Sequence, residues 1–266
     1  MKLISKHTLS PFDWFLIIGS VLFYFLHWWL VKAGYSGNGV KFSLLGAFAG
    51  IAGLIGNVLC AKRNITNYFF GIANVSLYAW IAWQNKIYGD VALNALYYLP
   101  MQFIGFYSWY HIWSVNQKKI AQSGTNGRLE TESEIKESKD ETAVQSKTLR
   151  TKQRVVIGIL LSFAIVAVAL ILKHFTDDPQ PFKDSATTVI SIVAMALMVG
   201  AYKEQWWLWI AVNIISTIMW IYAYKSGGDS SGEMIIKWFF NLANSINGFI
   251  VWSRAAKREK IIQKSI

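Results

Sequence analysis

Long apolar stretches, separated by short polar connections, make up most of this chain. Each stretch approaches the roughly 20 residues that a helix needs to cross a hydrocarbon layer about 30 Å thick. Strands of a membrane barrel would give shorter segments of alternating polarity, so the pattern favours transmembrane helices. We predict an all-α membrane protein with eight transmembrane helices, at 13–31, 42–60, 67–84, 91–113, 155–172, 186–202, 206–224 and 234–252.

The second half of the chain repeats the hydropathy pattern of the first, with three spans in each half. An offset of 139 residues aligns similar side chains: Asn74 with Asn213, Gln102 with Asn241, and Trp113 with Trp252. An offset of 143 residues aligns Gly105 and Trp109 with Gly248 and Trp252 instead. The register of the last helix therefore stays open between these two alignments.

Two repeats of three spans each can run parallel only if one further helix returns the chain across the membrane. Parallel repeats of this kind, related by an axis along the membrane normal, are typical of the sugar carriers of the SWEET class. The predicted segments are an extra N-terminal helix in 1–36, a first repeat at 40–113, a charged cytoplasmic linker at 114–153, a connecting helix at 154–174, a second repeat at 181–256 and a basic tail at 257–266.

Charged residues make up 15% of the chain, against about a quarter in soluble proteins. The net charge is +11, but the basic residues flank the apolar stretches. We therefore expect them to contact anionic lipid headgroups rather than nucleic acid. One set of connections carries nineteen Lys and Arg residues and the other carries six. The positive-inside rule then places both termini and the linker in the cytoplasm.

The linker at 114–153 is rich in charge and contains no aromatic residue. Such a segment cannot bury enough apolar surface to fold by itself. We expect it to be flexible, and most of it to be dispensable for function.

Side chains that could support catalysis are sparse. Cys60 is the single cysteine, which rules out an intrachain disulfide. The histidines, His7, His27, His111 and His174, are scattered along the chain, and no glycine-rich phosphate loop is present. We therefore predict no catalytic residue, no metal ion and no cofactor.

Carboxamides within apolar helices are the most informative side chains. An unpaired amide in hydrocarbon costs several kcal/mol, so each amide should face another amide, the backbone or a wet cavity. The predicted substrate-binding amides are Asn74, Asn94, Gln102, Asn213, Asn241, Asn244 and Asn247. Their recurrence at matched depth in both repeats favours a central site, and hydrogen bonding between helices is an equally strong interpretation.

Tryptophans share helices with these amides, and an indole face can bind a planar ring or a cation. The predicted stacking surfaces are Trp80, Trp109, Trp220 and Trp238, of which one or two should touch the substrate. Tryptophans near span ends are typical of the interfacial belt, to which we assign Trp28, Trp29, Trp206 and Trp207. We expect Lys237 to extend its ammonium group outward to the membrane surface.

Several short motifs then point to a family. They are NYFFGIANV at 67–75, GFYSW at 105–109, SIVAM at 191–195, WWLW at 206–209 and NIIS at 213–216. Over roughly 40–256 the chain resembles the PnuC family of bacterial vitamin transporters, whose best-known substrate is nicotinamide riboside. The first helix and the charged linker lie outside this likeness.

The resemblance implies a bacterial inner-membrane protein that carries nicotinamide riboside by facilitated diffusion. It also implies a functional link to a cytoplasmic riboside kinase, which traps the substrate by phosphorylation. We expect a homo-oligomer, with a trimer as the first guess.

Nicotinamide riboside is a planar pyridinium cation joined to a ribose, which suits tryptophan faces and amides. The same side chains would accept thiamine or a sugar, and a membrane scaffold or receptor is a further alternative. A carrier needs a central polar cavity, whereas a scaffold would use its amides in bonds between helices. No buried carboxylate or histidine pair is evident at mid-depth, so we expect uniport without ion coupling.

Overall fold

The structure is a computed structural model that describes residues 9–35, 42–84, 91, 93–124, 144–175, 181–225 and 231–265. Within these ranges lie eight α-helices: α1 (Pro11–Lys32), α2 (Leu44–Ala61), α3 (Asn67–Gln84), α4 (Leu99–Gly124), α5 (Thr151–Phe175), α6 (Pro181–Val199), α7 (Gln205–Lys225) and α8 (Ser231–Ser265). A π-helix, Leu93–Tyr98, leads directly into α4. Each predicted span falls on one of these helices, which confirms the predicted all-α fold.

Five of the described helices are long and apolar enough to cross a membrane: α1, α2, α5, α6 and the Met234–Lys257 part of α8. A shorter apolar stretch, Gln205–Met219, lies in α7. Helices α3, α4 and α7 carry many of the amides and aromatic rings described below. Side chains that face a cavity need not be apolar, which explains the lower hydropathy of these three helices.

With α1 left aside, the first half of the chain (α2–α4) and the second half (α6–α8) meet along two helix pairs, α2 with α8 and α4 with α6. The Trp109 indole N–H donates to the Met198 carbonyl over 2.8 Å, from α4 to α6. The Trp252 indole N–H donates to the Cys60 carbonyl over 3.0 Å, from α8 to α2. Each half therefore donates one buried indole hydrogen bond to the other.

Matching glycines allow close packing within each half. A Cβ atom at Gly105 would lie 2.3 Å from the Tyr68 ring, and one at Gly248 would lie 2.6 Å from the Trp206 ring. These pairs, together with the indole bonds of Trp109 and Trp252, favour the 143-residue offset for the last helix.

The turns α2–α3 and α6–α7 lie at the same end of the bundle, which we call the linker end. Arg63 and Ala201 have φ values of 58° and 59° in these turns. Both residues adopt the left-handed region of φ/ψ space, which is sterically unfavourable for residues other than glycine. In this conformation their carbonyls accept hydrogen bonds from the segment that crosses this end. Val144 N–H donates to the Arg63 carbonyl over 3.0 Å, and Lys147 N–H donates to the Ala201 carbonyl over 2.8 Å.

Residues 144–150, which we call the docked segment, correct the expectation that the whole linker is flexible. Val144 and Leu149 are buried, and Val144 belongs to the same buried core cluster as Tyr68, Trp109 and Trp252. Ser146 Oγ donates to the Trp252 carbonyl over 3.3 Å. Helix α4 also continues to Gly124, so both ends of the predicted 114–153 linker have defined structure.

Replacement of linker segments by glycine and serine should separate the docked segment from the rest. Replacing 125–143, with length preserved, should leave the thermal unfolding midpoint nearly unchanged, because this stretch offers little apolar surface. Burying an aliphatic side chain contributes about 1.5–3 kcal/mol, so replacing 144–149 should clearly lower the thermal unfolding midpoint. If the two replacements changed the thermal unfolding midpoint equally, the docked segment would contribute nothing to stability.

The extra helix α1 is anchored at the linker end by a buried carboxylate. The side chain of Asp13 accepts from the backbone N–H of Ser10 at the helix start. The same carboxylate lies 2.7 Å from Lys62 Nζ at the end of α2. The amide of Asn247 on α8 donates to Asp13 Oδ1 over 3.4 Å. Because charge and amide partners come from both α2 and α8, α1 is fixed against the interface between the halves.

Candidate functional site

A cavity of about 360 Å³ lies between the two halves, within the 300–1,000 Å³ typical of small-molecule pockets. Its walls come from α2, α3 and α4 with the π-helix on one side, and from α6, α7 and α8 on the other. Helices of both halves therefore contribute to one site.

Amides and hydroxyl groups form much of the cavity wall. Five of the seven predicted binding amides line it: Asn74, Asn94, Gln102, Asn213 and Asn241. The asparagines, threonines and serines that line it without having been predicted are Asn57, Asn67, Thr187, Thr188, Ser191, Ser216 and Ser245. The threonines and serines were not predicted because a hydroxyl in an apolar helix can donate to a backbone carbonyl of the preceding turn, so it need not face a cavity.

Gln102 has the clearest geometry for binding a ligand. The residue is only 6% exposed, and its Oε1 atom has no protein hydrogen-bond partner. A Cβ atom at Gly71 would lie 2.1 Å from this oxygen. Glycine at position 71 therefore gives the Gln102 amide the room to lie where it does.

Three other amides combine bonds between helices with a place in the cavity wall. Asn213 Nδ2 donates to Ser245 Oγ over 2.8 Å, joining α7 to α8. Asn57 Nδ2 donates to Asn241 Oδ1 over 3.1 Å, joining α2 to α8. A carboxamide has two N–H donors and an oxygen with two lone pairs, so one such bond does not exhaust it. The structural and binding interpretations of these amides are therefore compatible.

The π-helix presents Asn94 and Tyr98 to the cavity. The sequence offers a cause, because Pro100 lies two residues after its last residue, Tyr98. A proline in a helix lacks an N–H donor, and its ring clashes with the carbonyl four residues earlier. The wider π turn accommodates this clash, and such turns are frequent at functional sites.

The aromatic wall differs from the predicted one. Trp238 lines the cavity as predicted, with an indole N–H that has no protein partner. Four further rings were not predicted for the site: Tyr78, Tyr98, Trp206 and Trp209. The belt assignment of Trp206 is wrong, because this ring is 3% exposed and packs on Gly248 and Trp252. The sequence carries no signal that separates Trp206 from its neighbour Trp207, which is 57% exposed.

Four predicted residues lie outside the cavity. Trp80 is 55% exposed on the bundle surface. Trp109 is fully buried and bonded to the Met198 carbonyl. Asn247 is engaged by Asp13, and Asn244 is buried in the bundle without lining the cavity. Trp220 lies on α7, but its side chain is outside the described residues.

Lys237 lines the cavity, which corrects the expectation that its ammonium group extends to the membrane surface. Its Nζ atom lies 5.0 Å from the ring centroid of Tyr78 on α3. The described lining residues include no Asp, Glu or His. No group of three or more His, Cys, Asp or Glu residues in the described ranges is placed to hold a metal ion.

A multi-pass helical bundle with a central cavity of amides and aromatic rings is the architecture of a small-molecule transporter. The family model described as "Nicotinamide mononucleotide transporter" matches residues 43–254. The chain therefore belongs to this family of membrane transporters, the PnuC family.

Similar proteins include the nicotinamide riboside transporter PnuC of Neisseria mucosa, 34% identical over 81% of this chain and 74% of the relative. PnuC of Escherichia coli is 30% identical over 86% of this chain and 92% of the relative. A solved structure titled "Crystal structure of the Vitamin B3 transporter PnuC" is 29% identical, covers 94% of both chains and gives a TM-score of 0.66.

Proposed function

We propose that this protein carries nicotinamide riboside across the bacterial inner membrane. The observation that carries the proposal is the cavity between the halves, where seven amides and five aromatic rings of the described residues meet. Relatives of similar length that bear the name nicotinamide riboside transporter support the same substrate.

The chemistry of the substrate matches the cavity wall group by group. Ribose hydroxyls and the nicotinamide carboxamide both donate and accept hydrogen bonds, as Gln102, Asn213 and Asn241 do. The pyridinium ring is planar and positively charged, so an aromatic face can bind it by stacking and by cation–π attraction. Trp238 is the predicted ring that both lines the cavity and carries an unpaired indole N–H.

Transport on this fold would proceed by alternating access, with one end of the bundle open at a time. At the linker end, the Trp109 and Trp252 bonds and the docked segment join the two halves. Opening this end requires these bonds to break. A cytoplasmic riboside kinase would then trap the released substrate by phosphorylation.

We also propose that the protein forms a homo-oligomer, and a trimer is the first state to test.

We further propose that the linker end and both termini are cytoplasmic, because basic residues are concentrated in the connections on that side. A cysteine placed at Ser123 in a Cys60→Ser background should react with a membrane-impermeant thiol reagent in inside-out vesicles only. A cysteine at Ser230 should react in intact cells. Reaction of both from the same side would contradict the orientation.

We expect uniport, since no carboxylate or histidine lies among the described cavity residues to carry a coupled proton. Uptake of nicotinamide riboside into proteoliposomes should stop when the internal and external concentrations are equal. Imposed gradients of pH or sodium should leave that end point unchanged. Accumulation above the external concentration, driven by either gradient, would overturn the mechanism while leaving the substrate assignment in place.

A further inference from the structure

The docked segment is bonded to both halves of the bundle at the linker end. Its first residue, Val144, meets the first half, where its N–H donates to the Arg63 carbonyl over 3.0 Å. Arg63 Nη1 donates in return to the Val144 carbonyl over 3.3 Å. Further along, Lys147 N–H donates to the Ala201 carbonyl over 2.8 Å, and the Lys147 carbonyl accepts from Lys203 N–H over 3.0 Å. The segment therefore crosses the boundary between the two halves.

The attachment of the docked segment to the second half is the more extensive one. Besides the bonds of Lys147, Leu149 N–H donates to Glu204 Oε2 over 3.2 Å, and Ser146 Oγ donates to the Trp252 carbonyl over 3.3 Å. Glu204 Oε1 lies 2.8 Å from Arg154 Nη2 in α5, the helix that follows the segment. When the halves separate, the segment should stay with the second half, because fewer of its described bonds join it to the first.

Val144 lies where the two halves close over the linker end of the cavity. Its side chain is buried in a core cluster that also contains Trp109 of the first half and Trp206 and Trp252 of the second. Cys60 belongs to the same cluster and lines the cavity, as Trp206 does. An apolar side chain buried between two surfaces favours their contact, because separation would expose it to water.

We propose that the docked segment is a latch for the linker end, carried by the second half and closed on the first half through Val144 and Arg63. Each opening of the linker end releases the contact of Val144 and leaves the bonds of Lys147 and Leu149 in place. The strength of the Val144 contact therefore sets how often the cavity opens at this end. This inference rests on the alternating access of the proposed function, and it gives one part of the linker a direct role in transport.

The latch is tested by the rate at which a small thiol reagent modifies Cys60 in the purified full-length protein without substrate. Val144→Ala should raise this rate at least about fivefold, because less buried apolar surface then opposes opening. Val144→Thr keeps the size of the side chain but places a hydroxyl group in the core, so it should act in the same direction. The threonine variant leaves no hole through which the reagent could reach Cys60 directly.

Leu149→Ala is the matched control, because it removes a buried aliphatic side chain from the same segment on the side of the second half. Both alanine variants should lower the thermal unfolding midpoint. Leu149→Ala should leave the rate of Cys60 modification within about twofold of the wild type, since a contact kept in both states shifts no equilibrium between them.

Equal rates in the Val144 and Leu149 variants, or wild-type rates in the Val144 variants, would overturn the latch. The thiol reaction requires no substrate, so its result is independent of substrate identity. A wild-type protein that takes up no nicotinamide riboside would overturn the proposed function instead.

Discussion

Replacing Gly71 with alanine should weaken nicotinamide riboside binding about as much as removing the Gln102 amide, roughly 5- to 150-fold. The new methyl group would lie 2.1 Å from Gln102 Oε1 and would push the amide aside. The displaced atom is the end of a flexible side chain, so folding should be affected little. Loss of one hydrogen-bond partner in a buried site costs about 1–3 kcal/mol, which gives the expected range.

The measurement is a binding titration of Gly71→Ala, Gln102→Ala and the double variant. Because the glycine acts through the amide, the double variant should bind no more weakly than Gln102→Ala alone, so the effects are non-additive. The matched control is Asn244→Ala, which removes a buried amide outside the cavity and should leave the affinity within threefold. Additive losses, or normal binding by Gln102→Ala, would place the polar contact elsewhere.

Replacing Trp252 with phenylalanine should open the linker end more often. The variant keeps an aromatic ring but leaves the Cys60 carbonyl without its indole donor, which lies at 3.0 Å in the wild type. A lost buried bond of about 1–3 kcal/mol shifts a two-state equilibrium roughly 5- to 150-fold. The chain has its own reporter, because its single cysteine, Cys60, lines the cavity and is buried below this bond.

The rate at which a small thiol reagent modifies Cys60 should therefore rise at least fivefold in Trp252→Phe. Trp109→Phe, which breaks the corresponding bond to Met198, should act in the same direction. Trp206→Phe is the matched control, since its buried indole N–H has no protein partner and its loss breaks no bond between the halves. If all three variants react alike, loosened packing rather than the two indole bonds controls access.

The number and positions of the helices could be predicted because a helix that crosses a membrane needs a long apolar stretch, and such stretches are visible in the sequence. The amides of the cavity could be predicted in part for the same reason, since a polar group in an apolar helix must be satisfied. What the sequence lacks is the direction in which each helix faces. Asn247 and Asn213 occur in similar apolar surroundings, but one meets Asp13 and the other the cavity.

The remaining differences come from contacts between distant parts of the chain. Trp206 sits near a helix end, where an interfacial position is common, but the turn at Ala201 and the space left by Gly248 direct it inward. Lys237 is held by the Tyr78 ring of another helix. Residues 144–150 have the composition of a polar linker, and they dock by donating backbone hydrogen bonds to the carbonyls of Arg63 and Ala201 at the linker end.

The central claim, that the cavity binds nicotinamide riboside, is tested most directly by calorimetric titration of the purified wild-type protein. Nicotinamide riboside should bind saturably at one site per chain, and neither thiamine nor glucose in excess should compete with it. The Gly71→Ala variant, titrated in parallel, should bind more weakly, which would show that the heat comes from binding in the cavity rather than at the protein surface. Saturable binding of thiamine or glucose, with no heat from nicotinamide riboside, would contradict the account.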